Sequence, residues 1–233
     1  MVNRILKSLQ NPPPIPIQTA DKRALITIVV VCCIIELVLQ LSDHGFIEQR
    51  RLRAITYEYA GFWPGLLKDW VANYPLQPYA MFITYGFLHS GIVHLLLNMV
   101  TLWSLGQAVI FRVGTAGLLA IYATSILGGA FGFYLLTHDL RPMIGASGAL
   151  FGLAGALLAW MYVDRYTQRL GLLPVAQAVL LLILLNLFLW WAMDGQLAWE
   201  THLGGFISGW MVAMLVDPRP AEPDKTPPSL PQK

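Results

Sequence analysis

The sequence has few charged residues and few cysteines. Of its 233 residues only 12% are charged, whereas a soluble domain usually carries about 25%. This deficit, together with a hydrophobic content of 56%, excludes an ordinary soluble domain and indicates a membrane protein with several spans. The net charge of +2 is too small and too scattered to indicate nucleic-acid binding. Cys32 and Cys33 are adjacent in an apolar run, so the sequence offers neither a disulfide framework nor a metal-binding spacing.

Six apolar segments are long enough to approach or cross a hydrocarbon core of about 30 Å as helices. They cover residues 24–42, 82–110, 114–137, 147–163, 172–193 and 202–216. The sequence therefore predicts an all-α membrane protein, a bundle of six transmembrane helices. The stretch 43–81 mixes Trp and Tyr with charged residues, and we expect it to lie in the membrane interface as the first loop.

The two ends of the chain differ in composition from this core. We divide the chain into an N-terminal tail (1–23), a six-span core (24–216) and a disordered, proline-rich C-terminal tail (217–233). The N-terminus is polar and proline-bearing, unlike a signal peptide, so we expect the first span to direct insertion. Most basic residues that flank the segments fall on one side of a six-span topology, which predicts that both termini are cytoplasmic. A bacterial cytoplasmic membrane fits this organisation best.

Four polar residues of these segments lie at a similar depth. Asn98, Ser147 and His202 lie 14, 17 and 15 residues before the charged residue that ends their segment. At 1.5 Å per residue these separations are about 21, 25 and 22 Å. All three side chains are then roughly 5–9 Å below the outer surface of the core, and His94 is slightly nearer the surface. Because burying polar side chains in a bilayer is costly, the shared depth indicates a common site.

Glycines form two close-packing helix faces beside this site. Gly148 and Gly152 follow the serine in the fourth segment, and Gly205 and Gly209 follow the histidine in the sixth. Small residues four apart let helix backbones approach closely in a membrane. We therefore expect the fourth and sixth segments to pack tightly.

The pairing of Ser147 with His202 predicts nucleophilic catalysis. A serine hydroxyl is a weak nucleophile unless a base takes its proton, and His202 is the candidate base. Asp194 and Glu200 are near the histidine in sequence, but neither is placed as a convincing third member. The sequence therefore predicts a Ser/His dyad.

Donors for an oxyanion are available near the serine. Gly145 precedes Ser147 and suits a sharp entry into the helix, whose first N–H groups have no intrahelical partner. The side chains of Asn98 and His94 can add donors. These groups together predict an oxyanion hole for acyl transfer.

Three stretches carry these residues: FLHSGIVHLLLNM (87–99), GASGALFG (145–152) and HLGGFISG (202–209). Together they resemble the rhomboid intramembrane serine proteases, in the family's order on the second, fourth and sixth spans. The resemblance covers about residues 24–216. It implies an intramembrane serine endopeptidase that cuts single-span membrane-protein substrates in or next to their transmembrane helices, without a cofactor or metal. It also implies access for the substrate between spans two and five, with residues 194–201 as a cap.

The resemblance also implies a role for individual residues. It implies Ser147 as the nucleophile and His202 as the general base and acid. The oxyanion hole would consist of Asn98, His94 and the Ser147 backbone N–H. His89 would be a structural or water-organising residue, Phe151 the ring stacked on the catalytic histidine, and Gly145, Gly148, Gly205 and Gly209 supporting residues. One departure concerns the first loop. The family usually ends this loop with an aromatic residue followed by Arg, whereas here Tyr79 is followed by Ala80, which puts the anchoring of the loop in doubt.

Two alternatives come from other functional classes: a catalytically silent relative, and a transporter or metal site. A catalytically silent relative that binds or escorts membrane proteins would have lost the serine or the histidine, and this chain has both. A metal site would need His89, His94 and His202 to converge, but the first two are five residues apart and would lie on different helix faces, with no carboxylate or cysteine joining them. A transporter would show repeated halves or broken spans, and the sequence shows neither. Glu36 is expected to hydrogen-bond inside the bundle or to be protonated.

Overall fold

The computed structural model describes residues 19–138 and 140–216. This part of the chain folds into seven α-helices. In chain order they are α1 (Thr19–Asp43), α2 (Leu52–Ala60), α3 (Gln77–Thr84), α4 (Ile92–Leu136), α5 (Ser147–Thr167), α6 (Leu173–Ala192) and α7 (Trp199–Leu215), with 3₁₀ turns at Pro64–Leu67 and Tyr85–Phe87. The predicted N-terminal tail as far as residue 18 and the whole predicted C-terminal tail lie outside the described residues. The all-helical class is confirmed for the part that is described.

Four of these helices, α1, α4, α5 and α6, are long and apolar enough to cross a membrane, so the protein is a multi-pass membrane protein. Helix α4 has 45 residues and is interrupted at Gly114, whose φ of 73° and ψ of −178° are not helical. Glycine adopts such a positive φ without the steric cost that other residues have. The two halves of α4, 92–113 and 115–136, correspond to the predicted second and third segments. Helix α7 has 17 residues and corresponds to the predicted sixth segment.

The helix of the second segment begins ten residues later than predicted. The prediction began at residue 82, but α3 ends at Thr84, a 3₁₀ turn follows, and α4 begins only at Ile92, after Gly91 with a φ of 143°. The turn and its surroundings are as buried and apolar as a helix, with Tyr85 0% and Leu88 3% exposed. Apolar composition alone therefore could not separate the turn from the helix.

The centre of the bundle is the contact between α5 and α7. Gly205 and Gly209 of α7 lie against the backbone oxygens of Gly148 and Gly152 in α5, so that a Cβ at either position would overlap them. On its other side, α7 packs against the second half of α4, where Gly204 contacts the α4 backbone. The predicted close packing of the fourth and sixth segments is confirmed.

The first loop is attached to the bundle through an arginine. The Arg53 guanidinium of α2 donates to both carboxylate oxygens of Glu36, at 2.8 and 3.0 Å, and to Asp43 at 2.6 Å. It also donates to the His89 carbonyl oxygen at 2.9 Å, and the Tyr57 hydroxyl donates to the same oxygen at 2.7 Å. Glu36 is only 1% exposed. Of the two expectations for Glu36, hydrogen bonding inside the bundle is therefore the one observed.

A second ion pair lies at the far end of the helices. Arg112, at the end of the first half of α4, donates to both carboxylate oxygens of Asp164 in α5, at 2.7 and 2.8 Å. Its guanidinium also lies over the Trp160 ring, 5.2 Å from the centroid. The two charged residues from which the depths of Asn98 and Ser147 were counted are thus at the same end of the bundle.

Candidate active site

Ser147 and His202 are in hydrogen-bond contact. The distance between Ser147 Oγ and His202 Nε2 is 2.8 Å. Ser147 is the first residue of α5, and His202 lies in the first turn of α7 with 4% of its surface exposed. The glycine contacts between α5 and α7 bring the starts of the two helices close enough for this bond.

Two further contacts orient the imidazole. The Phe151 ring stacks on the His202 ring, with centroids 4.1 Å apart and planes 6° from parallel. On the far side of the ring, His202 Nδ1 is 2.6 Å from Oδ1 of Asn186 in α6. A carboxamide oxygen only accepts hydrogen bonds, so Nδ1 carries the proton and Nε2 has a lone pair for the Ser147 hydroxyl. This is the tautomer in which a histidine can act as a base toward serine.

Asn186 is the site residue that the sequence analysis missed. The search for a third member considered only carboxylates near His202 in the sequence, whereas Asn186 is 16 residues away on the preceding helix. A signal was present, because Asn186 is the one amide, hydroxyl or charged side chain between residues 178 and 192. A lone polar residue in a membrane span deserves a functional interpretation.

The tautomer of His94 is also fixed by its neighbours. The Ser90 backbone N–H donates to His94 Nδ1 at 3.3 Å, and the Ser90 hydroxyl lies 3.0 Å from the same atom. Since Nδ1 accepts, the ring proton is on Nε2. A Cβ built on Gly145 would lie 3.0 Å from His94 Nε2 and 3.8 Å from Ser147 Oγ. The N–H edge of His94 therefore faces the region beside the serine.

The last residues of the loop before α5 are packed against the rest of the protein. Gly145 has a φ of 125°, and its N–H donates to the Tyr85 carbonyl oxygen at 3.0 Å. Met143 pairs with Phe62 of the first loop through two backbone hydrogen bonds of 3.0 Å. Ala146 is 0% exposed. Buried, hydrogen-bonded backbone is what a non-helical segment requires at membrane depth.

Asn98 lies one helical turn beyond His94. Its Nδ2 donates to the His94 carbonyl oxygen at 2.9 Å, and the residue is 5% exposed. A carboxamide nitrogen has two N–H groups, and this bond uses one of them. The bond fixes the orientation of the amide on the α4 face that carries His94.

The expectation that His89 and His94 face apart is wrong. Their rings are in edge-to-face contact, with centroids 5.1 Å apart, because His89 lies in the turn before α4 and not on the helix. His89 is fully buried, and neither ring nitrogen has a hydrogen-bond partner among the described residues. Across residues 19–138 and 140–216, no group of three or more His, Cys, Asp or Glu side chains is arranged to hold a metal ion.

The chain is similar in sequence to several known proteins. A family model described as the Rhomboid domain matches residues 77–219. The Rhomboid protease GluP of Bacillus subtilis is 34% identical over 126 residues, which are 54% of this chain and 24% of that protein. The RHOMBOID-like protein 5 of Arabidopsis thaliana is 32% identical over 134 residues, 57% of this chain and 42% of that protein. The chain thus spans less than half the length of these relatives.

The matched region includes the whole of the site, from the turn before α4 to the end of α7. It also covers more than half of the chain. On this match, the chain belongs to the rhomboid family.

Proposed function

We propose that the chain is an intramembrane serine endopeptidase that hydrolyses peptide bonds in or next to the transmembrane helices of membrane-protein substrates. Ser147 is the nucleophile and His202 the general base. The observation that carries the proposal is the 2.8 Å contact from Ser147 Oγ to His202 Nε2, in the tautomer that leaves Nε2 free to accept. A nucleophile hydrogen-bonded to a base that a third group orients is the arrangement that activates a serine.

The reaction proceeds in two halves. Ser147 Oγ attacks the scissile carbonyl carbon while its proton passes to His202 Nε2. The imidazolium then gives this proton to the departing amine nitrogen, and the C–N bond breaks to leave an ester on Ser147. A water molecule, deprotonated by His202, attacks the ester, and the serine recovers its proton as the acid product leaves.

The negative oxygen formed in each half is stabilised by three donors. They are the Ser147 backbone N–H at the start of α5, an N–H of the Asn98 amide and the His94 Nε2–H. The free N–H groups of the α5 N-terminus and the fixed tautomer of His94 support this role. Removing one such donor typically lowers the rate about 10²–10³-fold.

The proposed topology has six spans. The two halves of α4 count as separate spans because of the break at Gly114, and α7 is the sixth span. The first loop lies in the membrane interface on the side of the bundle where the site is. The Arg112–Asp164 pair lies toward the cytoplasm, and both termini are on the cytoplasmic side. We place the protein in a bacterial cytoplasmic membrane.

The substrates proposed are single-span membrane proteins. A helix holds its carbonyl groups in hydrogen bonds, so a substrate must unwind locally before Ser147 can reach a carbonyl. Helix α6 lies beside the site and is mostly exposed, since Val175 is its one buried residue. Substrate is therefore proposed to enter between the first half of α4 and α6.

The test measures whether the purified protein, reconstituted in liposomes, cleaves a generic single-span substrate. This substrate has helix-breaking residues near one end of its span. Wild type is compared with Ser147→Ala and His202→Ala, and a fluorophosphonate probe measures the reactivity of Ser147 separately. We expect cleavage and probe labelling with wild type alone. Cleavage that survives Ser147→Ala overturns the proposal. A wild-type protein that neither cleaves nor reacts with the probe would favour the escort function instead.

A further inference from the structure

The hydrogen bond between Asn186 and His202 joins two helices that otherwise differ in how firmly they are held. Helix α7 is enclosed between α5 and α4 through glycine contacts, whereas α6 lies at the edge of the bundle and packs mainly against α5. The partly buried side of α6 is one stripe that contains Val175, Leu182, Asn186 and Leu189. Asn186 is the polar member of this apolar stripe, at the level of the histidine.

Within residues 19–138 and 140–216, the hydrogen-bond partner of His202 Nδ1 is Asn186 Oδ1. Its Nε2 is committed to Ser147 and its ring face to Phe151. Without an acceptor at Nδ1, the imidazole can equally carry its proton on Nε2 and donate to the serine oxygen. In that tautomer the ring cannot take the serine proton. The Asn186 oxygen, 2.6 Å away, favours the other tautomer.

We infer that Asn186 is a positioning residue, which holds His202 in the Nδ1–H tautomer and fixes the direction of its Nε2 lone pair toward Ser147. The inference rests on the proposed function for its catalytic consequence, but the tautomer itself is a property of the resting protein. Asn186 here occupies the place that a carboxylate takes in a Ser-His-Asp triad. A neutral amide suits a site within the membrane, because it adds no buried charge.

The position of α6 affects the catalytic histidine. Because the acceptor is on the edge helix, displacement of α6 away from the bundle removes the acceptor from Nδ1. The base strength and orientation of His202 therefore depend on α6 being in place.

Three variants separate positioning from packing. Asn186→Leu keeps the size of the side chain and removes the acceptor. Asn186→Asp keeps an acceptor oxygen whether or not the carboxyl group is ionised. Leu182→Ala loosens the same stripe one turn away and leaves the acceptor intact, so it is the matched control for α6 packing. Thermal unfolding of each variant in detergent establishes that it is folded.

The first readout is the tautomer of His202, measured by ¹⁵N NMR on histidine-labelled protein without substrate. The signal of His202 is assigned by its loss in His202→Ala. Wild type and Leu182→Ala are expected to show a protonated Nδ1 and a bare Nε2, and Asn186→Asp is expected to show a protonated Nδ1. Asn186→Leu is expected to shift population to protonated Nε2.

The second readout is the rate of reaction with a small fluorophosphonate probe, in which Ser147 Oγ bonds to phosphorus, fluoride leaves and the serine proton passes to His202. We expect Asn186→Leu to slow this reaction about 10-fold, as for the loss of one neutral hydrogen bond. Leu182→Ala should stay within about 2-fold of wild type, because its acceptor bond is retained. Asn186→Asp restores an acceptor oxygen and should react faster than Asn186→Leu.

Two results would overturn the inference. One is a folded Asn186→Leu protein whose His202 keeps the Nδ1 proton and whose probe rate matches wild type. The other is a loss of probe rate in Leu182→Ala as large as in Asn186→Leu, which would assign the effect to packing of α6. If wild type itself does not react with the probe, the proposed function fails, and the NMR readout still tests the positioning role.

Discussion

The anchoring of the first loop provides a quantitative test of the structure. Arg53→Met removes the guanidinium that is paired with Glu36, and the carboxylate is left 1% exposed with Gln40 as its remaining partner. Removing one member of a buried ion pair usually lowers the free energy of unfolding by about 3–5 kcal/mol. For a protein of this size that corresponds to a decrease in Tm of about 6–20 °C. Asp43 is less affected because its side chain is 33% exposed.

The second variant, Glu36→Leu combined with Arg53→Met, replaces both charges by apolar groups. Exchanging a whole buried pair for apolar side chains is often nearly neutral, so we expect the double variant to recover at least half of the Tm lost in Arg53→Met. Arg51→Met is the matched control, because Arg51 is an exposed arginine at the start of the same helix. Its Tm should stay close to that of wild type.

The assay is thermal unfolding in detergent, followed by the fluorophosphonate rate at a temperature where all variants are folded. Arg53 and Tyr57 both donate to the His89 carbonyl oxygen, in the turn that leads into α4. We therefore expect a lower probe rate in Arg53→Met as well. Glu36→Leu is also measured alone. If the double variant loses as much Tm as Arg53→Met and Glu36→Leu lose when added together, the charges do not interact as described and the reasoning is refuted.

Three further variants test other contacts of the site. Gly205→Ala places a Cβ against a backbone oxygen of α5 and should abolish cleavage. Leu203→Ala, on the exposed side of the same helix, should retain cleavage activity. Equal activity of the two variants would contradict the close packing. Asn98→Ala should lower kcat about 10²–10³-fold in the cleavage assay while the protein keeps its fold, and an unchanged kcat would remove Asn98 from the oxyanion hole. Phe151→Leu removes the ring stacked on His202, a contact worth about 0.5–1.5 kcal/mol, and should slow probe labelling about 2- to 13-fold; an unchanged rate would show that the stacking does not orient the histidine.

Counting residues along the helices predicted that Ser147 and His202 share a level, and the two side chains are in contact. The count worked because Arg112 and Asp164 mark the same end of neighbouring helices, where they form an ion pair. Glycine spacing predicted which helix faces meet, because small residues at helical spacing in a membrane span allow close packing of two helix backbones. These signals are local and repeat with the helical period, so they are readable from one sequence.

The features that escaped prediction depend on contacts between distant parts of the chain. The sequence analysis assigned no partner to Arg53, and its partner Glu36 lies 17 residues earlier in α1. The contact of His89 with His94 depends on where α4 begins, which apolar composition does not define. Asn186 lies 13 residues after the start of α6 at Leu173, or about 20 Å. The same count of residues, made from the start of α6 rather than to the end of a helix, would have placed Asn186 near the level of His202.

The glycine contact between α5 and α7 has a consequence for how the site responds to the membrane around it. Two backbones that touch directly are separated by hard repulsion, which changes steeply with distance, so lateral pressure or a change of lipid has little room to alter that separation. Helix α6, with one partly buried stripe, has no such stop. Bilayer thickness and lipid packing should therefore act on the reaction through α6 and its asparagine, while the distance from serine to histidine stays the same.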